Sequence, residues 1–274
     1  MIDKIIDIIK YIILGLVQGI TEVLPISSSG HLTIVNDILN IKDNSITLSV
    51  FLHVASLLAV LIYLRKELKQ LIVGFFGYIF KDKQKYKSDF FLAIYLVVTT
   101  MILVIFTVIM KLIGYDSSPL WVVGVCLILN AIMILVLGKF TGTKKLEEIN
   151  LKDAIVVGLF QCAGSFAGIS RSGSCLCGCQ VRKIEKDASA KYAFLLFVPA
   201  ILGATILEIS NFGSMFQNTE MIYLYIISFV VSFLATYFAF AWLKKIINKG
   251  KITYFSIYCF IVGFAVVLYT IFRR

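Results

Sequence analysis

A short stretch near the start of the chain carries several side chains that could act together in metal or acid–base chemistry. Gln18 and Glu22 are four residues apart, so they lie on the same face of a helix. Pro25 ends that helix, and Ser27 to Ser29 form a small-residue turn before His31. A carboxylate with a neutral amide oxygen suits a hard divalent cation, and a serine near an imidazole offers a nucleophile and a base.

A second stretch centres on Arg171, which stands in a turn of serines and glycines. Gly168 and Gly173 bracket this turn. The hydroxyl groups of the stretch belong to Ser165, Ser170, Ser172 and Ser174. A guanidinium beside a Gly/Ser turn supplies a fork of donors plus backbone N–H groups, and this combination fits a phosphate. Together the two stretches predict phosphoryl chemistry, in which positioning and charge stabilisation do most of the catalysis.

The composition indicates that these residues lie in a membrane. Apolar residues make up 59% of the 274 residues and charged residues only 15%, whereas soluble domains are about a quarter charged. Six apolar blocks are long enough for a helix across a bilayer core of about 30 Å. They are 46–64, 90–110, 120–138, 192–209, 222–242 and 253–272. The sequence therefore predicts an all-α polytopic membrane protein with six transmembrane helices in a single membrane domain over 1–274.

The basic residues follow the pattern of a membrane protein rather than a nucleic-acid-binding one. The net charge is +10, which in a soluble protein would suggest nucleic acid. Here Lys and Arg are concentrated in the connections 65–89, 139–153 and 243–252. The positive-inside rule places these three connections on the cytoplasmic side. We therefore expect the bilayer as a partner and no nucleic acid.

The two polar stretches also resemble each other. Gly15–His31 aligns without a gap on Gly158–Ser174, with seven of 17 residues identical at a constant offset of 143. With the predicted orientation, the repeats of about 1–138 and 144–274 are inverted. Each repeat would begin with a re-entrant helix hairpin. Because irregular backbone inside a membrane needs protein or water around it, we expect the two hairpins to face each other across a polar cavity.

The polar motifs resemble those of a known family, the bacterial undecaprenyl-diphosphate phosphatases, or bacitracin-resistance family. The stretch from Gln18 to His31 is similar to its first signature, (E/Q)-x-x-x-E followed by P-x-S-S-x-G-H. The stretch from Ala167 to Gly173 is similar to its second, P-G-x-S-R-S-G, with Ala167 where the family has Pro. The resemblance continues through 51–64 and covers most of the chain.

This resemblance implies both an activity and a place in the cell. The activity is removal of the terminal phosphate from a C55 isoprenyl diphosphate, which recycles the carrier lipid for cell-wall polymers and confers bacitracin resistance. The cofactor would be a divalent cation, Mg²⁺ or Ca²⁺. The site would lie in the bacterial cell membrane and open to the outer face. An isoprenyl diphosphate lipid is the expected substrate, and a homodimer is a further assembly that we consider.

Individual roles follow when the family motifs are carried over residue by residue. The implied catalytic residues are Glu22, Ser28, His31 and Arg171. The implied substrate-binding residues are Ser27, Ser170, Ser172 and Gly173. Glu22 would bind the metal together with Gln18, and Arg171 would stabilise charge on the transferred phosphoryl group. The nucleophile would be either Ser28 or His31.

Some features leave alternatives open. A polyprenyl-phosphate flippase or transporter is the alternative function, because inverted repeats with polar sites at mid-membrane also serve alternating access. A flippase must bind phosphate but does not need a nucleophile, a base and a metal-binding acid together. His53 lies within a predicted span, where a structural hydrogen bond or a place in the site would account for it equally well. The C-x-C-x-C of residues 175–179 fits small packing residues in lipid better than a zinc site.

Overall fold

In a computed structural model, the chain folds almost entirely into α-helices. The structure describes residues 2–41, 45–115, 118–137, 142–217, 219–248 and 252–273. In chain order their helices are α1 (Ile2–Val23), α2 (Ser28–Leu39), α3 (Ile46–Tyr63), α4 (Arg65–Phe80), α5 (Lys83–Leu112), α6 (Leu120–Leu137), α7 (Leu151–Ala163), α8 (Arg171–Val181), α9 (Lys186–Met215), α10 (Thr219–Asn248) and α11 (Thr253–Phe272). The predicted all-α class is therefore confirmed.

Within the described residues, five helices are long and apolar enough to cross a membrane. The spans are Ile46–Tyr63, Lys83–Leu112, Lys186–Gly213, Met221–Leu243 and Thr253–Phe272. They correspond to five of the six predicted blocks, and the sixth is α6, whose described apolar stretch, Leu120–Val136, is shorter. Large apolar side chains such as Ile206, Phe238 and Ile261 are more than 60% exposed on the outside of the bundle, as expected for surfaces that contact lipid. The chain is a polytopic membrane protein.

Two helix–turn–helix pairs, α1–α2 and α7–α8, occupy the places predicted for re-entrant hairpins. With 13 and 11 residues, α7 and α8 are about 20 Å long or less, which is too short for a bilayer core of about 30 Å. Helix α1 has 22 residues, so the two pairs differ in length. A re-entrant path remains a prediction for both pairs, because it depends on the position of the bilayer. The sequence analysis did not predict α4, which packs against α5.

Small residues bring the first helix of each pair close to a long helix. Helix α1 packs along α10, where a Cβ added at Gly15 would collide with the carbonyl oxygen of Ser228. Helix α7 packs along α5, where a Cβ added at Gly158 would collide with Ile102. Close backbone approach through small residues is typical of helix packing in lipid. Gly15 and Gly158 are separated by the repeat offset of 143; the inverted relationship of the two halves stays a prediction.

Candidate active site

The turns of the two hairpins touch each other, and one serine side chain joins them. Ser27 caps α2, since its Oγ accepts a hydrogen bond from the N–H of Gly30 at 3.2 Å. The same oxygen accepts a second hydrogen bond, from the N–H of Gly168 in the other turn, at 3.0 Å. Gly168 has a φ of +103°, which favours glycine, and a Cβ there would collide with Val123 and Cys126 of α6. The sequence of the second turn therefore permits this close contact.

Asn130 of α6 forms hydrogen bonds with the backbone of both turns. Its Nδ2 donates to the carbonyl oxygen of Pro25 at 3.1 Å, and its Oδ1 accepts from the N–H of Ser170 at 3.0 Å. The side chain is fully buried. One amide thus satisfies a backbone group in each turn, and such a fully bonded buried amide fixes the two turns relative to each other.

Two helices begin at this junction, and each begins with a serine cap. Ser170 caps α8 as Ser27 caps α2, because its Oγ accepts from the N–H of Gly173 at 3.1 Å. The first helical residues, Ser28 and Arg171, are also separated by the repeat offset. The first four N–H groups of a helix lack intrahelical acceptors, and each cap satisfies only part of them. The remaining N–H groups and the positive ends of two helix dipoles form an arrangement that binds anions.

A partly open cavity of about 40 Å³ lies at this junction. Its polar lining comes from both hairpins and consists of Thr21, Glu22, Ser27, Ser28, Ser29, Gln161, Ser170, Arg171 and Ser172. Its opposite wall is apolar. The fold therefore gathers most of the predicted site residues around one space. Three predicted residues are not among the described residues that line it: Gln18, whose amide bonds Glu22 from behind; Gly173, which lies against Ser170 and Pro25; and His31.

Glu22 is the acidic group of the cavity, and several neighbours hold its carboxylate. Nε2 of Gln18 donates to Oε2 of Glu22 at 2.8 Å, and Nε2 of His53 in α3 lies 3.3 Å from the same oxygen. Ser28 and Arg171 line the same cavity as Glu22, and the positive charge of Arg171 attracts the carboxylate. The Glu22 side chain is only 6% exposed. Burial of a carboxylate is costly without such partners, so this cluster is built to keep the acid in place.

The end of α7 sets the position of Arg171. A Cβ added at Gly164 would lie 2.5 Å from the Cα of Arg171, so only glycine allows the end of α7 to pack this closely against the start of α8. The serines on either side are also tied down. Oγ of Ser170 lies 3.1 Å from Oγ of Ser172, whose hydroxyl donates to the carbonyl oxygen of Leu24 at 3.5 Å. The guanidinium therefore extends from a backbone that both hairpins restrain.

His31 is the predicted base or nucleophile, but it is not among the described residues that line this cavity. Its Nδ1 donates to the carbonyl oxygen of Ser27 at 2.7 Å, and its Nε2 accepts from the hydroxyl of Tyr258 in α11 at 2.9 Å. The two rings are stacked, with centroids 5.6 Å apart. His31 instead borders an apolar groove between α1 and α11. The imidazole next to Glu22 is that of His53.

The donors around Glu22 fit a hard divalent cation. Oε1 of Gln18 and Oε1 of Gln161 are buried, and neither has a hydrogen-bond partner within the described part of the chain. A buried acceptor left unpaired costs about 1–3 kcal/mol. Among the described residues, no three His, Cys, Asp or Glu side chains come together as a metal site. One carboxylate with amide oxygens suits Mg²⁺ or Ca²⁺ that also binds phosphate oxygens.

Sequence reasoning did not assign Gln161 and Asn130 to this site, and it left His53 open between a structural hydrogen bond and a place in the site. Gln161 aligns with Gln18 in the repeat, so the alignment contained a signal for it. His53 and Asn130 lie inside apolar helices, and their polarity at that depth was the only signal. That signal marks a residue as important but does not identify its partner.

The fold and site define a class: polytopic α-helical membrane proteins with a polar cavity shared by two helical hairpins. Residues 11–265 match the family described as bacitracin resistance protein BacA, and the chain belongs to this family.

Similar proteins cover nearly the whole chain. The undecaprenyl-diphosphatase of Oceanobacillus iheyensis is 38% identical over 267 residues, which are 96% of this chain and 96% of that protein. Undecaprenyl-diphosphatase 2 of Halalkalibacterium halodurans is 37% identical over 269 residues, with the same coverage. Undecaprenyl-diphosphatase 2 of Bacillus thuringiensis is 36% identical over 257 residues, or 93% of this chain and 95% of its own. The similarity thus includes both hairpins.

Proposed function

We propose that this protein hydrolyses undecaprenyl diphosphate to undecaprenyl phosphate and inorganic phosphate. The reaction recycles the lipid carrier for cell-wall synthesis and thereby confers resistance to bacitracin. Membership of the family and the names of the relatives support this function. The observation that carries it is the convergence of Glu22, Arg171 and the starts of two helices on one cavity.

The arrangement supports a mechanism that uses Ser28 as the nucleophile. Arg171 and the unpaired N–H groups of the two helix starts would bind the diphosphate oxygens and stabilise the charge of the transition state. The Ser28 hydroxyl lines the same cavity as Glu22. Its oxygen would attack the terminal phosphorus, its proton would pass to Glu22, and undecaprenyl phosphate would leave. Water would then release phosphate from Ser28.

His31 was the other candidate nucleophile. Both of its ring nitrogens are engaged, by Ser27 and by Tyr258. It also borders a different space from the one that holds Glu22 and Arg171. The geometry therefore favours Ser28, and it favours His53 as the imidazole that assists Glu22.

We further propose that Glu22, Gln18 and Gln161 hold a divalent cation, Mg²⁺ or Ca²⁺. When bound, the cation would neutralise charge on the phosphate oxygens. The two unpaired amide oxygens support this assignment. An amide oxygen and an unprotonated phosphate oxygen are both acceptors, so they come together only when a donor or a cation lies between them.

The test is phosphate release from undecaprenyl diphosphate by the purified protein in detergent. We expect release with Mg²⁺ or Ca²⁺ and loss of release with a chelator. Arg171→Ala and Glu22→Ala should each lower turnover by roughly 10³-fold or more. Arg171→Lys should recover little, because an ammonium lacks the planar fork of donors. Arg65→Ala, at an exposed position in α4, is the matched control and should retain full activity.

Retained turnover in Arg171→Ala would reject the mechanism. Binding of the lipid without any phosphate release, together with lipid movement between leaflets, would instead indicate the alternative flippase. Thermal unfolding of each variant shows whether a loss of activity reflects a loss of fold.

The side of the membrane from which the site is reached is a separate proposal. The resemblance implies a site open to the outer face. Val60 and Phe240, which line the cavity, lie three residues before the ends of their spans at Tyr63 and Leu243. Those ends join Lys-rich connections, which the positive-inside rule places inside. The resemblance thus predicts a site near the outer face, whereas the charges predict a site nearer the cytoplasmic face. We propose the cytoplasmic placement, which follows from the charges.

Thiol labelling in intact cells tests this orientation. Gln217→Cys and Thr143→Cys introduce thiols at exposed positions on opposite sides of the predicted topology. The six native cysteines are all buried, so their background should be low. A membrane-impermeant reagent should label position 217 and not position 143. The reverse pattern would overturn the orientation and restore a site nearer the outer face.

A further inference from the structure

A second cavity, of about 360 Å³, lies beside the first turns of α5 and shares none of its described lining residues with the active-site cavity. One of its sides is a face of α5 between Gln84 and Tyr95. The other side is the connection before α7, in which Leu146–Glu148 form a short 3₁₀-helix. The proposed hydrolysis uses neither side, so a different ligand must be sought for this cavity.

The α5 side of this second cavity changes from polar to apolar along the helix. Lys85, Lys87 and Ser88 line the end near the start of α5, whereas Phe91 and Tyr95 line the end further along it. Ser88, Phe91 and Tyr95 share one face because they are three or four residues apart. The two ring centroids are 6.0 Å apart, and both rings are only partly buried. The cavity therefore offers a charged surface and an apolar surface in sequence, as an amphipathic ligand requires.

The length of α5 places this change of polarity at the edge of the bilayer core. Its 30 residues are about 45 Å long, which exceeds a core of about 30 Å. The apolar block of this helix begins at residue 90, so the residues before it extend into the headgroup layer. Helix α4 packs here, with Gly77 against the ring of Tyr86, and leaves Phe76 and Phe80 exposed. Exposed apolar side chains on a helix with a basic first turn are typical of the membrane interface.

The charge beside the second cavity is mainly positive. Four lysines and one aspartate occur between residues 81 and 87, and the aspartate, Asp82, caps α5. Lys85 and Lys87, which line the cavity, are both exposed. Glu147 is the single acidic group among the described lining residues and opposes these two lysines. Basic side chains in the headgroup layer attract anionic lipids, so this excess favours an anionic headgroup over a neutral one.

We propose that the second cavity binds an anionic phospholipid of the surrounding bilayer. The lipid phosphate lies on Lys85 and Lys87, and the first part of one acyl chain lies along Phe91 and Tyr95. A free phosphate matches only the lysines, whereas a phospholipid matches both ends of the lining. The bound lipid then joins α5 to the connection that leads into α7.

Native mass spectrometry of the purified full-length protein in a neutral detergent measures this binding. The probes are phosphatidylglycerol and phosphatidylcholine with the same acyl chains, and glycerol phosphate as a headgroup without a chain. The wild type should bind phosphatidylglycerol saturably. Its Kd for phosphatidylcholine should be roughly tenfold higher or more, because the choline ammonium cancels the charge that the lysines attract.

The double variant Lys85→Gln/Lys87→Gln should raise the Kd for phosphatidylglycerol by roughly tenfold or more, since each basic residue near a membrane surface contributes about a factor of five. Lys85→Arg/Lys87→Arg retains both charges and should bind as the wild type does. Glu147→Gln removes the acid that opposes the phosphate, so it should lower the Kd for the same lipid.

Lys152→Gln/Lys183→Gln is the matched control. Both lysines are exposed, and neither is among the described residues that line the second cavity. They belong to the same end of the molecule, because the backbone of Lys183 accepts hydrogen bonds from the N–H groups of Thr143 and Lys144. This variant removes the same charge as the test variant and should leave the Kd for phosphatidylglycerol within about twofold of the wild type, because it leaves both lysines of the cavity in place.

Equal weakening in the test and control variants would overturn the proposal, because the lysines would then act only through the overall charge of this end of the protein. Equal affinity of the wild type for the two phospholipids would overturn it as well. Displacement of the lipid by an equal concentration of glycerol phosphate would show that the rings bind no chain. A preference for phosphatidylethanolamine that Glu147→Gln abolishes would replace the anionic lipid with a zwitterionic one.

Discussion

Nε2 of His53 lies 3.3 Å from Oε2 of Glu22, and this contact joins the middle of α3 to the end of α1. The other ring nitrogen, Nδ1, donates to the carbonyl oxygen of Ser49 at 2.7 Å, so the ring is oriented by its own helix. The chain has only two histidines, and the other one, His31, is the last residue of the motif that begins at Gln18. The imidazole that meets the acid thus comes from outside the motif.

His53→Ala is expected to lower phosphate release about tenfold to a hundredfold, because the Glu22 carboxylate loses a partner that orients it. His53→Gln retains an amide donor and should recover most of that loss. Steady-state kinetics on the purified variants measures both effects. Thermal unfolding should show a decrease for His53→Ala, because the buried carboxylate loses a partner, and a smaller one for His53→Gln.

His31→Ala provides the comparison. His31 links the backbone of Ser27 to the hydroxyl of Tyr258, so its removal should lower the midpoint of thermal unfolding together with activity. A different outcome would support the catalytic role predicted from the motif: His31→Ala abolishes turnover at unchanged stability while His53→Ala remains active. Our account of His53 would then be wrong.

Gly168→Ala should destabilise the protein strongly. Its φ of +103° is unfavourable for an L-residue, and the new Cβ would collide with Val123 and Cys126. We expect a cost of about 1–3 kcal/mol from the backbone alone. Gly203→Ala in α9 is the matched control, since a Cβ there meets nothing within 4 Å and alanine favours a helix. Denaturant unfolding compares the two, and equal effects would contradict the close packing described for the turn.

Stabilisation by the cation gives a test of Gln161 that does not depend on activity. Mg²⁺ or Ca²⁺ should raise the midpoint of thermal unfolding of the substrate-free protein, because a ligand that binds only the folded state stabilises it. Gln161→Leu should reduce this increase. Gln180→Leu is the control, since Oε1 of Gln180 is likewise buried and unpaired within the described chain but borders a different cavity. An undiminished increase in Gln161→Leu would exclude this residue as a ligand.

Stability should depend on pH through Asp153, at the start of α7 and outside the five spanning helices. Burial by itself would raise the pKa of this carboxyl, but hydrogen bonds from Lys144 and Arg182 outweigh it and hold the pKa below its usual range. A lowered pKa in the folded state stabilises the protein above the ordinary value of about 3.9, and this contribution is lost as the pH falls through the folded-state pKa.

Asp153→Asn should therefore lower the midpoint of thermal unfolding at neutral pH. The difference from the wild type should shrink as the pH falls below about 4 and then through the lowered folded-state pKa, because the carboxyl of the unfolded chain takes up its proton first and that of the folded protein follows at lower pH. Unfolding midpoints measured between neutral and acidic pH give the comparison. A difference that stays constant over this range would show that the ion pairs with Lys144 and Arg182 contribute little.

The sequence by itself determined the membrane class and the main spans, and it predicted a chemistry for the site. Hydropathy suffices for the spans, because the cost of polar groups in a bilayer acts on each helix separately. Pro25 and Gly168 mark the turns because they restrict or extend the backbone locally. Glu22 and Arg171 followed from residue type and spacing.

Only the tertiary structure decided which side chains meet. Glu22 and His31 are nine residues apart, yet the chain reverses direction between them and they border different spaces. Asn130 joins Pro25 to Ser170, and no local pattern connects these three positions. The physical reason is that periodicity along a helix encodes which face is buried, whereas the partner of that face depends on how all the helices pack together.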